Sequence, residues 1–241
     1  MRLFPRTVGA AAAAVALILG LSIGGGSPAG ATGNPVALGG GSGLVVSSGD
    51  QSSLCSLGAI GTDSAGRLIG ITAGHCGSPG DAIYAEYART AGPVGTIAQR
   101  GNTLDWAVIV FDSAKVEPLS TVGGTTIRGI GEIPAPGTIS CINGRKTGFN
   151  CGVAWTVYGN PPLLLTQTCA RPGDSGGPVT VGDRLVAITT GTLVRPAAGV
   201  TLPTCDVPWN PWHGPQAGTP IDLVLSDIDS TGGEGAGFAV I

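Results

Sequence analysis

Short runs rich in Val, Ile, Leu and Thr recur along the chain, each closed by Gly, Asn, Asp or Pro. They are Leu44 to Val46, Leu68 to Thr72, Val94 to Ile97, Trp106 to Phe111, Val153 to Val157, Leu163 to Thr166 and Arg184 to Thr190. Runs this short, apolar or alternating and bounded by turn residues, suit buried or half-buried strands. No helix-length pattern alternates with them, which argues against a parallel α/β sheet and for an all-β barrel or sandwich. One helix is expected near the end, with Thr219 as N-cap and Pro220 as the first helical residue. Ile221, Leu223, Val224, Leu225 and Ile228 form its apolar face, and Gly232 and Gly233 stop it. Residues 234–241 fit either an added strand or a frayed tail.

The turns draw on 43 glycines, and only 11% of the 241 residues are charged against about 25% in an ordinary domain. With 42% apolar residues the chain can bury a core. The formal net charge is -3, and no Lys/Arg cluster exists, so nucleic acid and acidic membrane surfaces are not expected partners.

Residues 1–31 read as a signal peptide: a basic start through Arg6, an apolar stretch from Val8 to Ile23, and Ala29-Gly30-Ala31 as a cleavage site. The apolar stretch is shorter than the roughly 18–20 residues of a spanning helix, so no stable membrane insertion is expected after cleavage. Residues 32–43 are Gly-rich and read as a flexible lead-in. All six cysteines (Cys55, Cys76, Cys141, Cys151, Cys169, Cys205) follow the leader. An even count in an exported chain favours disulfides, with the pairing left open. With no C-x-x-C and two histidines, a zinc site is not expected, and no cofactor is called for.

Three motifs carry chemistry. Thr72-Ala73-Gly74-His75-Cys76 ends a strand, Asp105 precedes the apolar run from Trp106, and Gly173-Asp174-Ser175-Gly176-Gly177-Pro178 sets a serine among glycines. A serine nucleophile needs an imidazole base, and the base needs a carboxylate to hold its tautomer. The base is His75 or His213, and Asp81 or Asp112 are alternatives to Asp105. Glycines beside Ser175 allow a sharp turn in which the N–H groups of Gly173 and Ser175 face one developing oxyanion.

These motifs, with Cys55-Ser56-Leu57-Gly58, the Cys141 to Gly152 segment and Cys169-Ala170-Arg171-Pro172, resemble the chymotrypsin-like serine proteases. Within that family they resemble the secreted bacterial streptogrisin and α-lytic protease group. The resemblance runs from Cys55 to about Cys205. It implies two six-stranded antiparallel barrels, here placed at roughly 44–125 and 126–241, with the short C-terminal helix. It also implies His75 as base, Asp105 as orienting carboxylate, Ser175 as nucleophile, and Gly173 and Ser175 as oxyanion donors. Disulfides Cys55–Cys76, Cys141–Cys151 and Cys169–Cys205 follow, as does an Arg145–Asp174 ion pair that stabilises the buried aspartate beside the nucleophile.

The expected function is a secreted or cell-wall-associated serine endopeptidase, a monomer, with a polypeptide substrate and a proteinaceous inhibitor as partners. Between Asn160 and Gly173 there is no Asp or Glu, so a pocket for Lys or Arg is disfavoured and Asp206 is the nearest reserve. Thr190, Gly191 and Thr192 are expected to bind substrate. Thr192, where relatives carry glycine, narrows the entrance, and a small-to-medium apolar residue is expected before the scissile bond. His213 reads as a loop histidine packed by tryptophans. Two alternatives stand: an inactive protease-like binding module, and an α/β-hydrolase esterase using Ser175, Asp206 and His213 in G-x-S-x-G order.

Overall fold

The computed structural model describes residues 34–192 and 201–241; the expected signal peptide lies outside them. The first part of the chain forms β1 (Val36–Gly39), β2 (Gly43–Ser48), β3 (Gln51–Ser56), β4 (Ala59–Thr62) and β5 (Leu68–Thr72). Next come β6 (Ala82–Ala85), β7 (Gly95–Arg100), β8 (Ala107–Phe111) and β9 (Val116–Leu119). The connection holds β10 (Thr121–Val122), β11 (Thr125–Thr126) and β12 (Gly129–Ile130). The second part has β13 (Ile139–Gly144), β14 (Gly148–Tyr158), β15 (Leu163–Thr166), β16 (Pro178–Val181), β17 (Arg184–Thr192) and β18 (Gln216–Pro220). Helix α1 (Ile221–Thr231) and β19 (Ala239–Val240) follow.

The fold is mostly β. The second sheet runs β12-β17-β16-β13-β14-β15-β18, and β18 also pairs with β17, which closes β13 to β18 into a six-stranded barrel. The first sheet runs β19-β4-β5-β8-β7-β6-β2-β3 and stays open by hydrogen bonding. Only Leu57 and Gly58 separate β3 from β4, and their amides go to the carbonyls of Ser42, beside β2, and Ile71 of β5. Of the expected pair of six-stranded barrels, the one from β13 to β18 is closed by strand pairing, and the eight-stranded first sheet shows the other in part.

Three expectations about elements change, and the alternatives for the tail are resolved. The lead-in is not flexible from Val36 onward: β1 pairs in parallel with β9, and Leu38 is fully buried in the first core. Helix α1 starts one residue later than expected, because Pro220 is extended and Thr219 belongs to β18. Gly232, at a φ of 72°, ends it and donates its N–H to the Ile228 carbonyl. The tail is an added strand, β19, paired with β4, so the first sheet takes residues from beyond 126.

Every residue of β5 is buried. Ile69 and Ile71 share one core cluster with Leu185 and Ile188 of β17 and with Ile221, Val224 and Ile228 of α1. A single apolar cluster thus carries residues of both sheets, and the motifs at 72–76 and 173–178 lie at its margin.

Candidate active site

His75 occupies a 3₁₀ turn, Gly74–Cys76, that opens just past β5. Asp105 lies in the loop between β7 and β8. Its Oδ1 accepts the His75 backbone N–H at 2.8 Å and its Oδ2 lies 2.8 Å from His75 Nδ1. A carboxylate at that distance accepts the Nδ1 proton, which leaves Nε2 free to act as a base. The hydrogen bond from Asp105 raises the His75 pKa above its ordinary value; partial burial opposes the rise and the charge of Asp105 adds to it. Asp81 and Asp112 serve their own turns, accepting the N–H groups of Ser78 and Ala114.

Ser175 arrives from the other sheet. Its carbonyl accepts the Ser56 N–H at 2.8 Å and lies 3.8 Å from the Cys76 sulfur, beside His75. Gly173 and Gly176 have φ of 108° and 84°, a backbone region that glycine enters without strain. A Cβ at Gly176 would also meet the backbone N of Ala73 at 2.8 Å. Only glycine therefore lets this loop fold against the 72–76 segment.

Most amides of the loop have acceptors. The Arg171 N–H goes to Asp174 Oδ2, Asp174 N–H to the Arg171 carbonyl, Gly176 N–H to Thr189, and Gly177 N–H to Asp174. Among the described residues, the N–H groups of Gly173 and Ser175 have no acceptor. Two acceptor-free amides flanking one hydroxyl are what an anion site requires.

The expected Arg145–Asp174 ion pair is not made. Asp174 is 1% exposed, and its carboxylate is filled by the N–H groups of Lys146, Thr147 and Arg171 and by the Thr147 hydroxyl. Four hydrogen bonds supply what a cation was expected to supply. The Arg145 guanidinium instead forms a two-pronged pair with Glu86, lowering the Glu86 pKa and raising that of Arg145. Sequence reasoning missed Glu86, which carries no local signal for a partner 59 positions away. The three disulfides are Cys55–Cys76, Cys141–Cys151 and Cys169–Cys205.

A pocket of about 410 Å³ opens beside Ser175, lined among others by Ala170, Pro172, Thr189, Gly191, Thr192 and Gln216. Gly191 and Thr192 line it. Thr190 does not line it and bonds through its hydroxyl to Thr219. The Thr192 hydroxyl donates to Gln216 Oε1 at 3.1 Å. Arg171 and Asp206 are the charged lining residues, and both are exposed. The Thr189 hydroxyl is buried with no partner among the described residues. Gln216, nearly fully buried and bonded to the Gly191 carbonyl, had no sequence signal.

His213 is remote from this chemistry. It is 8% exposed and its Nδ1 donates to the Gly214 carbonyl at 2.8 Å. Trp209 and Trp212, expected to be buried around it, are 81% and 85% exposed. Among the described residues the sheets are antiparallel except at β1–β9 and β12–β17, which leaves no crossover framework for an α/β-hydrolase. No group of three or more His, Cys, Asp or Glu among them is placed to hold a metal.

No family model matches the chain. Over 137 residues it is 33% identical to serine protease 1 of Rarobacter faecitabidus, covering 51% of this chain and 26% of that protein. Over 159 residues it is 28% identical to serine protease 2 of Streptomyces fradiae, covering 57% of this chain and 86% of the relative. The crystal structure of Cellulomonas bogoriensis chymotrypsin matches with a TM-score of 0.60 at 26% identity, over 86% of this chain and 99% of the other. The chain is similar in sequence and in fold to the bacterial chymotrypsin-like serine proteases. It spans about a quarter of the length of the Rarobacter protein, and it shares with these proteases a mostly β fold that includes a closed six-stranded barrel.

Proposed function

We propose that this chymotrypsin-like chain is a secreted serine endopeptidase in which His75, Asp105 and Ser175 act together. The observation that carries the reading is the pair of acceptor-free amides at Gly173 and Ser175, which flank the Ser175 hydroxyl while the amides of Arg171, Asp174, Gly176 and Gly177 are bonded. Ser175 Oγ attacks the scissile carbonyl while His75 Nε2 takes its proton, and Asp105 stabilises the imidazolium that forms. The carbonyl oxygen becomes an oxyanion between the two amides, which are already oriented before charge develops. His75 then protonates the leaving amine, and water releases the acyl group by the same steps in reverse order.

Apart from the exposed Arg171 and Asp206, the pocket's lining is uncharged, which supports a small-to-medium apolar residue before the scissile bond. Its one carboxylate, Asp206, is exposed at the surface and desolvates no cation. Peptide substrates ending in Leu or Phe are expected to turn over faster than those ending in Arg; the reverse order would refute this preference. The leader and the three disulfides support export.

A fluorophosphonate and mass mapping test the reading. Labelling is expected at Ser175 and is expected to disappear in His75→Ala and Ser175→Ala. Folded wild-type protein that stays unlabelled overturns it in favour of a non-catalytic binding module.

A further inference from the structure

The two acceptor-free amides are useful only if the loop carrying them is held still, and the structure shows what holds it. Ser56 ends β3, on the first sheet, and is fully buried. Its Oγ accepts the Arg145 backbone N–H at 2.9 Å and donates to the Gly173 carbonyl at 3.0 Å. A hydroxyl has one proton, and with Arg145 N–H occupying the acceptor side, that proton is directed at Gly173. The Ser56 N–H binds the Ser175 carbonyl, and the Ser56 carbonyl accepts the Thr72 hydroxyl at 2.9 Å. One residue thus grips the carbonyls of both residues whose amides face the oxyanion position, and ties them to the strand leading to His75.

Arg145 is itself anchored from the first sheet. Glu86 holds its guanidinium, and both side chains are largely buried, at 27% and 17% exposed. The guanidinium also lies over Gly173, where a Cβ would meet Nη1 at 2.7 Å. Glu86, Arg145, Ser56 and Gly173 form a chain of contacts that crosses between the two parts of the fold three times and ends on the oxyanion loop.

Resting on the protease reading above, we propose that Ser56 is a positioning residue for the oxyanion amides, held in register by the Glu86–Arg145 pair. Ser56→Ala removes the donor to Gly173 without removing any group that touches substrate. The loop then loses its fixed orientation, and a loss made only in the transition state lowers kcat with little change in KM.

The test uses a peptide p-nitroanilide with active sites titrated by fluorophosphonate, and a peptide boronate whose tetrahedral adduct places an oxygen between the two amides. Ser56→Ala is expected to lower kcat per titrated site by about 10- to 100-fold, with KM within about 3-fold and boronate affinity falling in parallel with kcat. Glu86→Gln is expected to move the same quantities in the same direction by a smaller factor, and it carries the test if Ser56→Ala does not fold. Unchanged kcat per titrated site in whichever variant folds overturns the positioning role, even if fewer sites titrate. Wild-type protein with neither labelling nor turnover overturns the protease reading, and the positioning role with it.

Discussion

A histidine held through both its backbone and its ring by one carboxylate has little freedom to misorient, and this shapes what each residue change will do. Because Asp105 raises the His75 pKa, the neutral base is lost on acidification at a higher pH than for a free imidazole of about 6.5. The acid limb of kcat/KM is therefore expected above that value, and Asp105→Asn is expected to shift it downward while lowering kcat by about 10⁴. A pH–rate profile of the two proteins reads both effects. Thr189→Val replaces a buried hydroxyl, without a partner among the described residues, with a methyl of similar size. It is expected to be neutral to about 1 kcal/mol stabilising in denaturant unfolding, and to raise kcat/KM for Leu-ended substrates over polar ones. At this scale, residues whose chemistry is local were legible in the sequence: TAGHC and GDSGGP sit within their own strands and turns. Partners set by tertiary approach were not. Arg145 was matched to Asp174, yet neighbouring amides had already filled that carboxylate, and the free guanidinium found Glu86.

Elements follow the same division. β5 and β15 coincide with the runs Leu68 to Thr72 and Leu163 to Thr166, because their apolar residues and flanking breakers agree. β1 was hidden, since Val36-Ala37-Leu38-Gly39 is too short to show a period and owes its order to β9, far along the chain. Helix α1 was visible by its apolar face, but its anchor was not: the Trp106 indole N–H donates to Asp227 at 2.8 Å. Asp227→Ala leaves a mostly buried donor unpaired and is expected to cost about 1–3 kcal/mol, read by denaturant unfolding. The disulfides span 10, 21 and 36 positions. If restriction of the unfolded chain dominates, replacing Cys169 and Cys205 by Ala is expected to cost about 1 kcal/mol more than replacing Cys141 and Cys151. Equal losses for the two pairs would show that native packing outweighs loop length.

For the molecule as a whole, the Glu86–Arg145 pair makes the association of the two sheets sensitive to acid. The folded-state pKa of Glu86 is lowered, so its contribution is present above the ordinary Glu range and is lost as pH falls through the lowered value. The stability gap between wild type and Glu86→Gln is accordingly expected to be full at pH 7 and to close in strong acid, as followed by urea unfolding at each pH. The shared core tells the two halves apart in another way. Of the four tryptophans, Trp106 is 1% exposed, whereas Trp155, Trp209 and Trp212 lie open to water. Emission that survives an aqueous quencher comes from the one indole next to Asp105 and bonded to α1. The protein thus carries an intrinsic optical reporter of the seam that supports its histidine, readable without a label.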